Sequence, residues 1–283
     1  MQEKLISGVT LAQTILTQVA KEVAALGAKR KPALAVILVG NDSASIIYVK
    51  NKKAACAAVG ITSHEFVLDA TSSEQDVINL VEQLNANSAI DGILVQLPLP
   101  KHLNSSIVID HISPDKDVDG FHRYNIGSLA INSPRLCPCT PHGIMYMLDS
   151  LKVNYFGQHA VILGTSNIVG RPMALELINR GATVTMCNSK TRNTMQTTST
   201  ADILIAATGR AKLVKRDWVK ANAIVIDVGM NRDANGQLCG DVDLNDIIDK
   251  VAYISPVPGG VGKMTIAMLI RNTLLCYNIN LNK

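Results

Sequence analysis

Residues 159–191 read HAVILGTSNIVGRPMALELINRGATVTMCNSKT. A buried-type strand (159–164) runs into a glycine turn, a helix expected over 167–180 with Gly181 as its stop, and a second strand (182–188). This is the first βαβ unit of a dinucleotide-binding domain in outline. The usual glycine fingerprint is incomplete. Gly164 holds its first position, but Ser166 and Val169 stand at the second and third, and Gly170 comes one residue late. On the fingerprint alone a structural strand-to-helix turn is an equal reading. Helix position favours a phosphate, because the first N–H groups of a helix starting at Asn167 would point into the turn. Pro172 falls in the first helical turn, where it is tolerated.

The end of the second strand separates the cofactors. A site for NAD places an acid about 20 residues after the glycine turn, to hold the ribose 2′-OH. Here the residues are Asn188, Ser189, Lys190, Thr191 and Arg192, with no acid. With Arg171 they offer hydroxyls and cations to a 2′-phosphate, which points to NADP. A solvated basic loop is the plain alternative.

Outward from this unit, strands and helices alternate along the chain, so the expected class is α/β with two parallel-sheet domains, the second Rossmann-like. Upstream the expected elements are a strand at 33–40, a helix over 43–59 stopped by Gly60, a strand at 61–68, a helix over 73–87, a strand at 92–97 and a helix over 104–112. Downstream they are a helix over 144–151, strands at 201–208, 223–229 and 252–255, and a helix over 264–277. The expected domains are 1–137, with the C-terminal helix 264–283 packing back on it, and 138–263.

Composition narrows the classes. A chain of 283 residues, 47% apolar and 18% charged, suits two globular domains. No apolar run approaches the roughly 20 residues of a membrane span, and MQEKLISG lacks a signal-peptide core, so a cytoplasmic address is expected. Six scattered cysteines suggest neither a disulfide framework nor a zinc site; no metal is expected. A net charge of +4 is too weak and dispersed for nucleic acid but suits a small anionic ligand.

Three polar signals stand at or near strand ends of the first domain, where open parallel sheets bind ligands. Tyr48 and Lys52 are four apart on one helix face, a stacking ring beside a proton carrier. Gln96 ends a strand before Leu97-Pro98-Leu99-Pro100. Asp119 closes the acid-rich PDKDVDGFH (114–122). Singly, each has a bland reading: core tyrosine, surface lysine, turn aspartate.

Together with their neighbours they become specific. ASIIYVKNK, DGILVQLPLP, PDKDVDGFH, PCTPHG, GTSNIVGRPM and PVPGGVG, in that order from Ala44 to Gly262, resemble the segments of the FolD-type methylenetetrahydrofolate dehydrogenase/cyclohydrolase family. The resemblance implies that Tyr48 packs on the pterin, Lys52 moves protons in the cyclohydrolase step, Gln96 orients Lys52, and Asp119 accepts the pterin N–H donors. It further implies that Gly164, Thr165, Ser166 and Met230 line NADP, that Arg171 and Ser189 hold its 2′-phosphate, and that Pro256, Pro258, Gly259 and Gly260 lie over the folate. Tetrahydrofolate one-carbon derivatives are the implied substrates and a homodimer the implied assembly. Lys263, Ala211 and Met230 depart from the usual family residues.

The chemistry agrees with those roles. A carboxylate accepts two parallel donors in a fork. Hydride transfer needs alignment rather than a side-chain acid, whereas hydrolysis of a methenyl cation needs a proton carrier. PGGVGKMT (258–265) imitates an ATPase phosphate loop, but Met264 stands where the Mg²⁺-binding hydroxyl belongs. A dehydrogenase of another small substrate, or a folate-binding protein without turnover, are the remaining rivals.

Overall fold

The computed structural model describes residues 2–281, which fall into two compact units. One comprises Gln13–Cys139 and the chain from Ile266 on; the other comprises the residues through Ala12 and Thr140–Thr265. The N-terminal segment therefore groups with the second unit, not with the first as the expected boundaries had it.

In chain order the helices and strands up to the boundary are α1 (Gly8–Ala25), β1 (Ala33–Val39), α2 (Ser43–Val59), β2 (Thr62–Leu68), α3 (Glu74–Ala86), β3 (Gly92–Val95), α4 (Ser105–Asp110), α5 (Arg123–Ala130) and α6 (Cys139–Ser150). β1 lies between β2 and β3, parallel to both. All seven of its residues are buried, which is why ALAVILV is apolar without alternation. β2 is the open edge, and its Val67 is 62% exposed. On the other side Ile93 bridges to Asp117, so the turn carrying 115–120 is fastened along β3. Gly92 makes room for it, since a Cβ there would stand 2.3 Å from the Val118 side chain.

Helix α2 sets the phase of the first site. Asp42 caps it by accepting from the Ser45 N–H, and Gly60, at φ 79°, stops it in the left-handed conformation. Its buried residues are Ser45, Val49, Lys52, Cys56 and Val59. That is an amphipathic stripe in which a lysine occupies a core-facing position.

The remaining elements are β4 (His159–Leu163), α7 (Gly170–Asn179), β5 (Thr183–Cys187), α8 (Thr194–Thr198), β6 (Ile203–Ala206), β7 (Ile224–Asp227), β8 (Asn231–Arg232), β9 (Leu238–Cys239), α9 (Leu244–Ile247), β10 (Tyr253–Ile254) and α10 (Val261–Leu281). Five form one parallel sheet in the order β10-β7-β6-β4-β5, and β8 and β9 make a short antiparallel ribbon. The order reverses between β4 and β6, the topological switch of a doubly wound dinucleotide fold. Val161, Leu163, Leu204, Ala206, Val225 and Ile254 share one core cluster.

Several bounds differ from expectation. α6 begins at Cys139 rather than 144, because Pro141 is tolerated in a first turn. α10 runs from Val261 to Leu281, longer than 264–277. α7 begins at Gly170, not Asn167.

Candidate functional site

In the first unit, Lys52 is only 7% exposed, and its Nζ donates to Gln96 Oε1 at 3.0 Å. Gln96, itself 8% exposed, is held at both ends. Its backbone N–H donates to Ile37 O at 2.9 Å, and its Nε2 donates to Leu97 O at 2.6 Å, just before the cis Leu97–Pro98 bond. A fixed acceptor at the end of β3 thus aims the lysine. Tyr48 lies one turn earlier on the same face, half-buried, and burial raises its phenol above the usual range.

The cluster of acids separates by role. Asp115 pairs with Arg135 at 2.5 Å. Asp117 is buried and fastens the turn, accepting from the Gly120 and His122 N–H groups and from Asn125 Nδ2. Asp119 retains some solvent access, yet burial pushes its carboxyl up to about 6, against the opposing pull of the Lys52 charge. Its carboxyl meets the Cys139 thiol and the Lys52 charge and, unlike Asp115 and Asp117, takes no part in an ion pair or a backbone-fastening turn among the described residues.

Two residues outside the expected set hold Asp119 in place. Asn272 on α10 donates to Val118 O at 2.8 Å and Cys137 O at 3.0 Å, and the buried Cys139 thiol donates to Val118 O at 3.2 Å. Burial keeps that thiol well above its ordinary pKa. Asn272 sits 3% exposed on the side of α10 that also buries Leu269, Thr273 and Cys276, and its phase with them is the signal that marks it.

In the second unit the turn after β4 is built on close backbone approach. Gly164 has φ 112°, and a Cβ there would meet Ala207 O at 2.1 Å; one at Gly170 would meet Gly164 O at 2.0 Å. Gly164 and Gly170 therefore supply the tight turn and the helix approach that a regular fingerprint spaces differently. Ser166 closes the turn. Its Oγ accepts from the Val169 and Gly170 N–H groups at 3.2 and 3.4 Å, and its carbonyl accepts from Arg171 N at 3.0 Å. The first N–H groups of α7 are thus engaged by Ser166, which corrects the expectation that they point free into the turn.

Beyond β5 the chain makes a polar turn, with Lys190 N donating to Asn188 Oδ1 at 2.8 Å and Asn188 N to Thr191 Oγ1 at 2.9 Å. Ser189, Lys190 and Arg192 are exposed on it, as is Arg171 on α7. This donor set, with no acid in 188–193, fits a phosphorylated ribose and would leave a bare 2′-OH without an acceptor carboxylate. Thr165 lies partly buried in the turn, and Met230 is 49% exposed in the loop after β7.

The loop 256–262 carries the cis Val257–Pro258 bond, and Gly259 has φ 102°. Gly260 packs so tightly that a Cβ would stand 2.4 Å from Pro256 O. The loop is tied to the start of α1 by Val9 N donating to Gly259 O at 3.2 Å. Lys263 is exposed at the loop's far end. A shallow cavity of about 450 Å³, lined by Asp149, Tyr155, Phe156 and Arg180 among others, lies before β4 and β5, at the strand ends opposite the turn.

Comparison with known proteins finds two family models in sequence. "Tetrahydrofolate dehydrogenase/cyclohydrolase, catalytic domain" matches residues 6–119, and the corresponding "NAD(P)-binding domain" matches residues 138–281. A "Bifunctional protein FolD" of Legionella pneumophila is 52% identical over 247 residues, 87% of each chain. A crystal structure of the bifunctional FolD enzyme from Campylobacter jejuni is 43% identical with a TM-score of 0.95, covering 97% of this chain and 98% of that one. The Trypanosoma brucei enzyme, solved with NADP cofactor and inhibitor, is 35% identical with a TM-score of 0.94, covering 99% and 98%.

Proposed function

The chain belongs to the tetrahydrofolate dehydrogenase/cyclohydrolase family, and from that premise we propose how its own residues carry the two steps. It is a bifunctional enzyme that oxidises 5,10-methylenetetrahydrofolate to 5,10-methenyltetrahydrofolate with NADP and hydrolyses the product to 10-formyltetrahydrofolate. The observation that carries the residue assignment is the buried Lys52–Gln96 pair, 3.0 Å apart, on the same helix face as Tyr48 and within electrostatic reach of Asp119.

Tyr48 gives the pterin a face to stack on, and Asp119 accepts its ring N–H and amino donors in a fork. That binding returns to the carboxylate the hydrogen bonds that burial removed. NADP, when bound, supplies the hydride acceptor. Arg171 and Ser189 hold its 2′-phosphate, while Gly164, Thr165, Ser166 and Met230 line its path. The folate takes the unit containing Gln13–Cys139 and NADP takes the unit containing Thr140–Thr265; Pro256, Pro258, Gly259 and Gly260 are the loop residues assigned to the folate.

The oxidation leaves a cationic methenyl carbon, to which water adds. Water addition releases one proton to solvent and leaves a hydroxyl on the carbon; the Lys52 ammonium then gives a proton to N5 as the carbon–N5 bond breaks and takes the hydroxyl proton as the C=O forms, leaving the formyl group on N10. Gln96 keeps the Nζ aimed throughout, since its own amide is pinned by Leu97 O.

The proposed assembly is a homodimer, and the edge of the first sheet supports that reading. β2 is unpaired along its outer side and presents Val67 to solvent, a surface that a second copy would cover. Among the described residues no helix is long and apolar enough to cross a membrane; six free cysteines suit a reducing cytoplasm. The test is one assay with methylenetetrahydrofolate and NADP. NADPH should form without lasting accumulation of the methenyl product, and NADPH formation with stoichiometric methenyl accumulation would remove the cyclohydrolase assignment.

A further inference from the structure

We infer that Asp241 is a positioning residue for the dehydrogenase step, its carboxylate holding the loops after β6 and β7 in the shape on which the nicotinamide end of NADP rests. This rests on the assignment of NADP to the unit containing Thr140–Thr265.

Asp241 follows β9 and has no solvent exposure. Five donors converge on its carboxylate. Oδ2 accepts from the Thr208 N–H, from Thr208 Oγ1 at 2.9 Å and from Gly209 N at 3.1 Å. Oδ1 accepts from Arg210 N at 3.0 Å and Asn231 Nδ2 at 2.8 Å. All five are neutral groups, and four belong to the loop after β6, the fifth to the residue next to Met230 in the loop after β7. A buried carboxylate surrounded by neutral donors fixes backbone more rigidly than a neutral side chain could, because each bond is charge-assisted.

Asp241 is itself held from below. Asp227, at the end of β7, accepts from Asp241 N at 2.9 Å, Val242 N at 3.0 Å and Gly229 N at 2.9 Å. The fit allows no slack. A Cβ at Gly240 would stand 1.8 Å from Asp227 Oδ2, and one at Gly229 would stand 2.4 Å from Asp241 Oδ1. The two glycines and two acids form one latch across the carboxyl ends of β6 and β7.

Topology says what the latch serves. A dinucleotide lies across the point where strand order reverses, here between β4 and β6. The β4–β5 side carries Arg171 and Ser189, the 2′-phosphate set. The loops after β6 and β7 are left for the nicotinamide, and those are the loops that Asp241 shapes. Displacing a reacting ring by about 1 Å costs on the order of 10²-fold in rate.

The experiment compares Asp241→Asn, Thr208→Val and Arg171→Ala in both activities. Asp241→Asn should lower the dehydrogenase kcat about 10- to 100-fold. Its KM for NADP should stay within about threefold and its cyclohydrolase rate within about twofold. Thr208→Val removes one of the five bonds and should move kcat the same way by less, which keeps the test available if Asp241→Asn fails to fold. Arg171→Ala should do the opposite, raising KM for NADP with kcat nearly kept. An unchanged dehydrogenase kcat in the Asp241 and Thr208 variants, or equal loss of both activities, overturns the positioning role. If instead Arg171→Ala leaves KM for NADP unmoved, the NADP assignment itself has failed.

Discussion

Lys52→Met separates chemistry from binding. Methionine keeps the length and apolar path of the lysine side chain while removing its ammonium, so a residue only 7% exposed is replaced without a cavity. Three effects follow. Loss of the proton carrier costs about 10²–10⁴ in hydrolysis rate, or roughly 3–5 kcal/mol of barrier. The Gln96 Oε1 that accepted from Nζ at 3.0 Å loses its donor, at about 1–3 kcal/mol, partly offset because an ammonium is no longer buried. Third, the Lys52 charge is what opposes the rise of Asp119, so removing it moves that carboxyl further up from about 6. Hydride transfer should therefore survive but need a more alkaline medium than wild type, since the carboxylate proposed to hold the folate ionises later. Methenyltetrahydrofolate should accumulate at every pH and be visible by its absorbance. Hydrolysis at the wild-type rate would refute the role of Lys52. Full recovery of hydrolysis on raising the pH would show that Lys52 acts only through Asp119.

Further expectations rest on separate parts of the molecule. With Asp119 ionising near 6, kcat/KM for the folate substrate should fall about tenfold per pH unit below that point, and Asp119→Asn should abolish folate binding and this limb together. The folded-state value lies above the unfolded one. The neutral carboxyl is therefore the stabilised form, and the unliganded protein loses stability as pH rises from about 4 through 6; Asp119→Asn should raise its unfolding free energy at pH 7.5 by about 1–3 kcal/mol, measured by denaturant titration. Arg171→Ala should raise KM for NADP roughly 10- to 150-fold and leave KM for NAD nearly unchanged, from the loss of a charge-assisted bond of about 1.5–3 kcal/mol. Val67→Lys on the open edge of β2 should shift the protein to a monomer in sedimentation, and an unchanged mass would place the subunit interface elsewhere.

What could be read from sequence follows from how local each cause is. α2 was legible to the residue, because Asp42 and Gly60 act on their own neighbours. The central strands are recognisable as unbroken apolar runs but end sooner than those runs: 201–208 becomes Ile203–Ala206, and 223–229 becomes Ile224–Asp227. Their outer residues turn into the loops over the sheet. The start of α7 was misplaced by three residues because Ser166 organises a turn that resembles a helical first turn in composition. α1 and α5 were not among the expected elements, although Ala12, Ile15, Val19 and Val23 repeat at helical spacing. Lys52, Gln96 and Asp119 stood out through motif order. Asp227, Asp241 and Asn272 did not, since an aspartate after a strand reads as a turn residue and an asparagine in a helix as a wet face. Their importance lies in which distant backbone groups they meet.

The last helix carries a consequence for how the enzyme is made. Asn272 reaches Val118 across 154 residues, Tyr277 donates to Arg30 O across 247, and Asn280 donates to Asp91 O across 189. All three ties converge on the unit that bears Lys52 and Asp119. A ribosome must therefore release the chain through α10 before these ties can form, even though Lys52 and Asp119 are translated earlier. Until then the unit lacks these contacts, and forming them requires closing loops of very long sequence separation, which is slow in general.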